Sequence, residues 1–407
     1  MTRRFVILVC CALLLAGACK GSEGEEAGAQ GSTLQFGAAL SLTGQLSREG
    51  ILTKDGYEYC KQVVNEEGGV EVGDKTYDLD ITYQDDKSTP DVAAQLVDQM
   101  NDDNVKFILG PYGSSSTEAA SAVVERNGQL MISSAGADDT IYEKGYQNTF
   151  GVLSPASEYL ATIVKAVSDI AQPKPKTVAI LSADDGFSKT AAEGGAAQAE
   201  EEGMEVVATE FFAEGSTDVS AQLTKVKPLN PDLILGSVHL EEGVAIIKQS
   251  EELGINPAGG FGETVAPPTP DFIETLGPAA EYTLGSSQWT PETEGEDELF
   301  GTAEDYAEGF EAAFGDTPEY HNAEATAACL AMILAIEDAG SLEPEAVRES
   351  LANLDTESFF GPIKFDENGK NIYKPMQVIQ IQDGKPVTVW PSAEGELKWP
   401  APPFDER

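Results

Sequence analysis

The chain has 407 residues, with 70 acidic residues against 25 lysines and arginines and a formal net charge of −45. A surface this acidic repels phosphate backbones and anionic lipid surfaces, which excludes nucleic-acid binding. Apolar residues make up 41% of the chain, with 16 Phe and 12 Tyr, so the composition is that of a folded protein, and the length predicts two domains or three. We interpret most of the acidity as surface solvation rather than as a cation-binding or amine-binding role.

The N-terminus has the pattern of an export signal. Two arginines precede an unbroken apolar run at residues 5–15, and small residues then lead to Cys19. The run is too short to span a bilayer as a mature helix, so residues 1–18 are predicted to be a signal peptide. The small residues before Cys19 resemble a bacterial lipoprotein cleavage box, which implies lipidation of Cys19; cleavage without lipid is the alternative. Residues 19–33, rich in Gly, Ser, Glu and Ala, are predicted to be a flexible tether.

Two cysteines remain in the body of the chain after the signal and Cys19 are set aside. Cys60 and Cys329 lie in apolar patterns typical of helices, and in an exported protein they either form a disulfide or stay as two buried thiols. The sequence contains only two histidines, and no Cys/His spacing typical of a zinc site. We therefore predict no metal and no cofactor.

Strands and helices alternate after the tether. Hydrophobic periodicity and turn residues predict the first set of elements, which are strands at 34–42, 77–83, 105–109 and 130–133 and helices at 55–67, 90–100 and 118–127. This order predicts a mostly parallel sheet with helices on both faces.

The alternation then starts again, which predicts a second unit of similar size. Its elements are helices at 159–170, 190–202, 219–226 and 243–253 and strands at 177–181, 205–212 and 233–235. The remaining chain has helices at 300–314, 323–339 and 344–354, and a strand pair, 361–365 with 376–382, joined through Asn368-Gly369. These last elements are too few for a third unit. We predict a two-lobed α/β body in which the chain crosses between lobes more than once.

A serine-rich loop at residues 113–117 separates a predicted strand from a predicted helix. Ligands of parallel α/β sheets bind at this end of the strands, next to helix N-termini. The loop offers hydroxyl groups and free N–H groups at the positive end of a helix dipole, which suits a carboxylate. No lysine follows the glycines, so it is not a nucleotide loop. Ordinary helix capping by Ser114 or Thr117 is the alternative.

The loop at residues 133–138 follows the next strand and is expected to lie beside the serine loop. In the second unit the corresponding loops contain Asp184 with Asp185, His239 and Glu263. Two lobes that face each other would place Glu263, or the two aspartates, opposite the serine loop. A carboxylate opposite a carboxylate-binding loop is the arrangement that holds a zwitterion.

Several loop segments together resemble the leucine/isoleucine/valine-binding family of ABC-transporter substrate-binding proteins, which have the type I periplasmic-binding fold. The segments are LSLTG at 40–44, NEEGGV at 65–70, YQDD at 83–86, ILGPYGSSST at 108–117 and LMIS at 130–133. The resemblance implies two Rossmann-like lobes joined by three crossovers, with the ligand captured by hinge closure. The implied lobes are residues 34–152 with 285–365, and 153–284 with 366–400.

The resemblance also implies the ligand contacts, which we assign by position. These contacts are Ser114 for the ligand carboxylate, Ala135, Gly136 and Ala137 on the second loop, and Glu263 for the ammonium, with Phe187 and Glu49 at positions next to the ligand. Ser115 of the serine loop and His239 of the facing loop are predicted as further contacts from their loop positions. Three residues depart from the family pattern. Ala137 replaces a common Thr, Phe187 a common Tyr, and Glu49 an aromatic that often covers the ligand. These departures weigh against a branched aliphatic ligand and allow a more basic or polar one.

We therefore predict a non-enzymatic, lipid-anchored receptor outside the cytoplasm. It would bind an amino acid or a related small polar molecule and deliver it to the separate permease subunits of an ABC uptake transporter. A sensing receptor of the same fold and a urea or amide binder are the alternatives. A hydrolase that uses the serine loop with His239 is disfavoured, because no nucleophile-elbow spacing is present. Calcium binding at residues 366–371 is disfavoured as well, since the loop lacks the full ligand spacing.

Overall fold

The computed structural model describes residues 32–391 and 395–407. The predicted signal peptide, Cys19 and residues 20–31 of the predicted tether lie outside the described residues. Ser32 and Thr33, which were assigned to the tether, are the first residues of a strand.

Strands occur in the predicted alternating order. Numbered along the chain, they are β1 (Ser32–Leu40), β2 (Val70–Val72), β3 (Lys75–Asp85), β4 (Phe107–Leu109), β5 (Leu130–Ser133), β6 (Thr149–Gly151), β7 (Thr177–Ala183), β8 (Glu205–Phe212), β9 (Leu233–Ser237), β10 (Phe261–Glu263), β11 (Leu284–Ser287), β12 (Glu296–Asp297), β13 (Gly301–Thr302), β14 (Asp355–Thr356), β15 (Ile363–Lys364), β16 (Gln377–Gln382) and β17 (Lys385–Trp390).

Helices cover the faces of the sheets. They are α1 (Ser47–Glu66), α2 (Pro90–Asp102), α3 (Ser114–Asn127), α4 (Asp139–Tyr142), α5 (Glu158–Ile170), α6 (Gly186–Glu201), α7 (Ser220–Val226), α8 (Leu240–Leu253), α9 (Pro270–Leu276), α10 (Ala303–Phe314), α11 (Tyr320–Ala339) and α12 (Pro344–Asn353). Among the described helices, none alone is long and apolar enough to cross a membrane. The pair α11 and α12 passes such a test only jointly, on length and composition, with a bend of 110° between them.

Two open sheets form the two lobes. The first has the strand order β2-β3-β1-β4-β5-β6, with only β2 antiparallel to its neighbour. The second has the order β17-β16-β11-β10-β9-β7-β8, in which β16 and β17 are antiparallel additions to a parallel set. The central parallel strands, such as β4, β5, β9 and β10, are buried on both faces because helices cover both sides, whereas β3 and β8 are partly exposed. The predicted fold class, α/β with two parallel-rich sheets, is confirmed.

The predicted strand pair near the C-terminus is wrong. Residues 363–364 pair with β14, whereas β16 pairs with β11 and β17. The reason lies in the turn after β15, where the Asp366 Oδ1 atom accepts hydrogen bonds from the N–H groups of Asn368 and Lys370 (2.9 Å each). This turn directs the chain to the edge of β6, where the Gly151 N–H donates to the Gly369 carbonyl (2.9 Å). Residues assigned to the second lobe by sequence therefore bond first to the first sheet.

Three crossovers connect the lobes, and hydrogen bonds join them. The chain leaves the first sheet after β6, returns after β11 and leaves again before β16. Gln288 on the second crossover accepts from the Ser154 N–H (3.1 Å) and donates to the Ser154 carbonyl (3.2 Å) on the first. The Ser154 hydroxyl donates to the Lys374 carbonyl on the third (2.8 Å). The crossovers thus form one bonded hinge.

The core of the first lobe holds the helices against each other. Cys60 of α1 and Cys329 of α11 form a disulfide, which settles the alternative that the sequence left open. Close helix contact requires Gly56, because a Cβ there would collide with the Asn322 carbonyl of α11. The Thr326 hydroxyl, on the same face of α11, donates to the Gly56 carbonyl (2.8 Å). The helix α11 is therefore fixed on α1 by covalent, packing and hydrogen-bond contacts.

Candidate functional site

A small cavity of about 20 Å³ lies where the two lobes face each other. A volume of this size accommodates about one water molecule. From the first lobe it is lined by the loop after β4, the loop after β5 and the first turns of α11, and from the second lobe by residues of α5, α6 and the loops after β9 and β10. An amino acid therefore needs the lobes to open before it can enter.

Contacts across the cleft hold the lobes closed. Thr190 of α6 donates a hydrogen bond to Asp138 on the loop after β5 (3.0 Å). Arg48 of α1 forms an ion pair with Asp271 of α9 at 2.5 Å. The pair is more than a third exposed, so it contributes little to stability, although it joins the two lobes.

The serine loop was predicted to precede a helix at residue 118, but α3 begins at Ser114, so residues 114–117 form its first turn. Gly113 has φ +86, a conformation that favours glycine, and it turns the chain so that α3 begins at Ser114. Within the described residues, no side chain caps this helix end. Ser114 lines the cavity, and its hydroxyl accepts a hydrogen bond from the Asp138 N–H (3.1 Å). Free N–H groups, a helix dipole and a hydroxyl therefore meet at one point of the cavity wall.

The second predicted loop lies directly beside the first. Ala135 and Ala137 line the cavity, and Gly136 between them does not. The Gly136 N–H donates to the Ser133 hydroxyl (2.8 Å), and its carbonyl accepts from the Tyr142 hydroxyl (2.8 Å). The turn is fixed from behind, so that the two alanine methyl groups face the cavity.

Aromatic side chains fill most of the remaining wall. The Phe187 ring meets that of Tyr159 edge to face, with centroids 5.0 Å apart, and lies 5.4 Å from His239. The Tyr112 hydroxyl lies 3.4 Å from Nδ1 of His239 and 3.3 Å from Nε2 of His321. Tyr112 and His321 belong to the first lobe and His239 to the second, so this hydroxyl joins the two lobes through His239.

His239 lies in the cavity wall, but its contacts are not those of a catalytic base. Burial alone would lower its pKa, yet the nearby carboxylates of Asp185, Glu242 and Glu49 outweigh burial and raise it. Its ring contacts Tyr112 and Phe187, whereas the Ser114 hydroxyl bonds to the Asp138 N–H. The two members of the disfavoured hydrolase pair thus have separate partners.

Four predicted ligand contacts do not line the cavity. Besides Gly136 they are Ser115, Glu49 and Glu263. Glu49 is buried in the first turn of α1, and Ser115 is half-buried in the first turn of α3. The carboxyl group of Glu263 lies beside Gly243, under the first turns of α8.

The strand register explains where Glu263 points. Alternate residues of a strand point to the same face of the sheet, so Glu263 points to the same face as Phe261. Phe261 packs in the hydrophobic core that includes residues of α8. Gly262, the residue between them, faces Ile163 of α5. Both carboxylate oxygens of Glu263 are buried, and within the described residues neither has a hydrogen-bond partner.

Glu263→Gln is expected to stabilise the protein by an amount that grows with pH. Burial first, and the charge of Glu242 second, raise the pKa of Glu263 well above its ordinary value of 4.5. A raised carboxyl pKa means that the protonated form stabilises the fold, so the contribution is complete at low pH and is lost as pH rises towards the folded-state pKa. Gln imitates the protonated acid, so the gain over wild type grows by about 1.4 kcal/mol per pH unit from pH 4.5 up to the folded-state pKa and is constant beyond it.

Urea unfolding of both proteins at acidic, neutral and mildly alkaline pH measures this gain. Glu200→Gln, on the exposed face of α6, is the matched control for the chemical change. A difference between Glu263→Gln and wild type that is equal at every pH would show that Glu263 does not change its protonation on folding.

Sequence reasoning missed most of the aromatic wall and one acid. The missed lining residues are Tyr112, Gly113, Leu153, Tyr159, Val265, Tyr320, His321 and Glu324. One signal was available, since Glu324 is the one acid in the first half of α11, a helix that is buried almost throughout. A charged residue at such a position is rarely buried without a purpose.

Two larger cavities lie outside the cleft. One of about 140 Å³ lies beside the turn at residues 366–369, and a groove of about 540 Å³ on the first lobe has an apolar floor and a rim of glutamates. Within the described residues, no group of three or more His, Cys, Asp or Glu side chains is arranged to hold a metal ion. Of these three cavities in the described part of the chain, the cleft is the one that combines residues of both lobes with polar groups at a helix N-terminus.

Known proteins of similar sequence and structure have the same architecture. Leu/Ile/Val-binding protein homolog 7 of Brucella melitensis biotype 1 is 25% identical over 404 residues, which cover 96% of this chain and 97% of that protein. The leucine-binding protein LivK of Thermotoga maritima has a TM-score of 0.77 at 24% identity, with 88% of this chain and 98% of that one covered. LivJ of Streptococcus pneumoniae, a branched-chain amino acid transporter substrate-binding protein solved with isoleucine, has a TM-score of 0.75 at 22% identity, with 87% and 98% covered.

The profile of the periplasmic binding protein family matches residues 33–386, which is most of the chain. This match spans both sheets and the crossovers between them. The predicted resemblance is thereby confirmed. The chain belongs to the periplasmic binding protein family, whose members are solute-binding receptors rather than a class of enzymes.

Proposed function

We propose that this receptor captures an amino acid, or a related small zwitterion, and delivers it to an ABC uptake transporter. The observation that carries the proposal is the uncapped N-terminus of α3, which meets the cleft at the Ser114 hydroxyl. Backbone N–H groups at a helix N-terminus bind carboxylates well. The relatives named for leucine, isoleucine and valine, and the isoleucine complex of LivJ, support an amino acid as the ligand.

Capture proceeds by hinge closure. In the open state the ligand carboxylate binds to the loop at Ser114 on the first lobe. Closure then brings Phe187 and His239 of the second lobe over the ligand, and contacts such as Asp138 with Thr190 form at the rim. The ligand shifts the equilibrium towards the closed state because it binds that state more tightly than the open one.

A lipid anchor at Cys19 would complete the proposed receptor. The family acts outside the cytoplasm, which agrees with the export pattern of residues 1–18. A diacylglycerol on Cys19 and the tether after it would keep the folded body within reach of permease subunits in the same membrane. Both statements rest on the sequence and remain part of the proposal.

Ser114→Ala is expected to weaken binding of the amino acid by about 1.5–3 kcal/mol, the range for hydrogen bonds to charged groups. The variant loses the hydroxyl that lies next to the free N–H groups of α3. It also leaves the Asp138 N–H without its acceptor, which loosens the second loop. Isothermal titration calorimetry of both proteins measures the change.

Ser121→Ala is the matched control, since Ser121 lies on the same helix, is buried outside the cavity, and its hydroxyl donates to the Glu118 carbonyl. Its affinity is expected to equal that of wild type. If Ser114→Ala also had the affinity of wild type, the serine loop would not be part of the binding site.

The ligand class is tested by a thermal-shift screen of the twenty common amino acids, urea, short amides and polyamines. A ligand that binds the folded state raises the melting temperature by mass action. A shift with urea or amides alone would contradict the amino-acid ligand and would leave the family assignment intact.

A further inference from the structure

Glu324 lies in the cleft and was assigned no role. It occupies the second turn of α11 and is 1% exposed. Of the described residues that line the cavity, it is the only acid. Its Oε2 atom is buried, and within the same part of the chain it has no hydrogen-bond partner. A buried, unpartnered carboxylate is costly, which points to a ligand group that completes it.

The helix that carries Glu324 cannot move away from the first lobe. The Cys60–Cys329 disulfide lies one turn further along α11. Asn322 donates to the Leu52 carbonyl (2.9 Å), two residues before Glu324. The carboxyl group therefore keeps its position relative to the serine loop of the same lobe, whether the cleft is open or closed.

Aromatic rings surround this carboxyl group. Tyr320 lies one turn before it on α11, and the Tyr112 and Tyr159 rings line the same cavity. Burial raises the pKa of all three tyrosines, and the charge of Glu324 adds a smaller effect in the same direction. Electron-rich ring faces next to a carboxylate attract an organic cation.

We propose that Glu324 binds the ammonium group of the ligand. This inference rests on the proposed function and adds the residue that recognises the amine. Ser114 and Glu324 both belong to the first lobe, so that lobe alone binds the two charged ends of a zwitterion, and the second lobe covers it with rings. Glu263, which the resemblance assigns to the amine, faces α8 instead. The receptor therefore requires a ligand with a protonated amine.

Amine binding is accompanied by proton release. Burial first, and Glu319 second, raise the pKa of Glu324 well above its ordinary value of 4.5, while Lys374 opposes them. A raised pKa favours the protonated carboxyl group when no ligand is bound. An ammonium donates its N–H groups to the ionised carboxylate, so the carboxyl proton passes to solvent as the ion pair forms. The other titratable groups that face this site are Lys374, Glu319, His239, His321, Tyr112, Tyr159 and Tyr320.

Calorimetry of wild type, Glu324→Gln and Glu263→Gln tests the proposal. The probes are the twenty common amino acids, each paired with the carboxylic acid that lacks its α-amino group. Wild type is expected to prefer the amino acid by at least about tenfold, and Glu324→Gln to lose about 10- to 100-fold in affinity and most of that preference. Glu263→Gln is the control, because Glu263 is a second buried acid without a hydrogen-bond partner among the described residues but lies outside the cavity. The affinity of this variant is expected to stay close to that of wild type.

A second measurement distinguishes direct contact between Glu324 and the amine from an indirect effect of the substitution on the fold. Titrations in buffers of different ionisation enthalpy count the protons released on binding. Wild type and Glu263→Gln are expected to release a proton, and Glu324→Gln is not. Thermal unfolding checks that each variant is folded, and Glu324→Asp, which keeps the charge but shortens the side chain, is expected to retain part of the amine preference.

The outcomes distinguish this inference from the proposed function. Unchanged affinity and amine preference in Glu324→Gln, with a loss in Glu263→Gln, would overturn the inference and leave amino-acid capture standing. A wild-type protein that binds none of the twenty amino acids would contradict the proposed function, and the inference would fall with it.

Discussion

Removal of the Cys60–Cys329 disulfide is expected to lower the free energy of unfolding by about 2–5 kcal/mol. The two residues are 269 positions apart, so the bond closes a long loop in the unfolded chain. Both are fully buried, and they join α1 to α11 in the core of the first lobe. The double variant Cys60→Ala/Cys329→Ala removes the bond and leaves no free thiol in the folded body.

Urea unfolding with and without a reducing agent measures the effect. Reductant is expected to shift the wild-type transition to a lower urea concentration and to leave the double variant unchanged. The double variant in buffer alone then has nearly the stability of reduced wild type. A wild-type transition that does not respond to reductant would mean that the two cysteines are not bonded in the protein.

The element order could be predicted because buried parallel strands and amphipathic helices have different periods. The predicted strands at 105–109 and 130–133 lie close to β4 and β5. The start of α1 was placed too late, at residue 55 instead of Ser47. The first turn of α1 has no apolar periodicity that would mark it in the sequence. The helix begins there because the Leu46 N–H donates a hydrogen bond to the Ser88 hydroxyl (3.0 Å), on a loop 42 residues further along the chain. A local pattern cannot contain that contact.

The C-terminal part was harder to predict because its partners are distant in sequence. An Asn-Gly pair is typical of a hairpin, and the sequence offers Asn368-Gly369. The structure uses this pair in a turn that bonds to β6, and the hairpin forms at Asp383 and Gly384 between β16 and β17. Which of the two turns forms the hairpin depends on which strand edges of the two sheets are free to pair.

The candidate site was likewise predicted in part from the sequence. Ser114, Ala135, Ala137, Phe187 and His239 follow strands at the ligand-binding edge, and all five line the cavity. Whether a residue at a strand end faces the ligand depends on a register of period two, which sequence does not fix for a strand as short as β10. Glu263 faces the core for this reason. Glu324 comes from a helix, so no rule about strand ends could have found it.

Tyr306→Ala is expected to lower the free energy of unfolding by about 3–5 kcal/mol, the cost of removing a large buried ring. Tyr306 is completely buried at the centre of the first lobe. Its ring stacks on Phe359 with centroids 4.1 Å apart, and it is within about 6 Å of four further rings, those of Tyr59, Trp289, Phe300 and Phe310. Alanine would leave a cavity with aromatic walls that cannot collapse, because each ring packs on another.

Tyr306→Phe is the matched control, since it keeps the ring and removes only the hydroxyl that lies 3.1 Å from the Thr326 hydroxyl. Thr326 still donates to the Gly56 carbonyl, so the loss is expected to be about 1 kcal/mol. Urea unfolding of the two variants separates ring packing from the hydrogen bond. Trp289 follows Gln288 of the hinge, so this cluster also supports one end of the crossovers. If both variants lost the same free energy, the hydrogen bond to α11 would be the main contribution of Tyr306, and the packing argument for the cluster would fail.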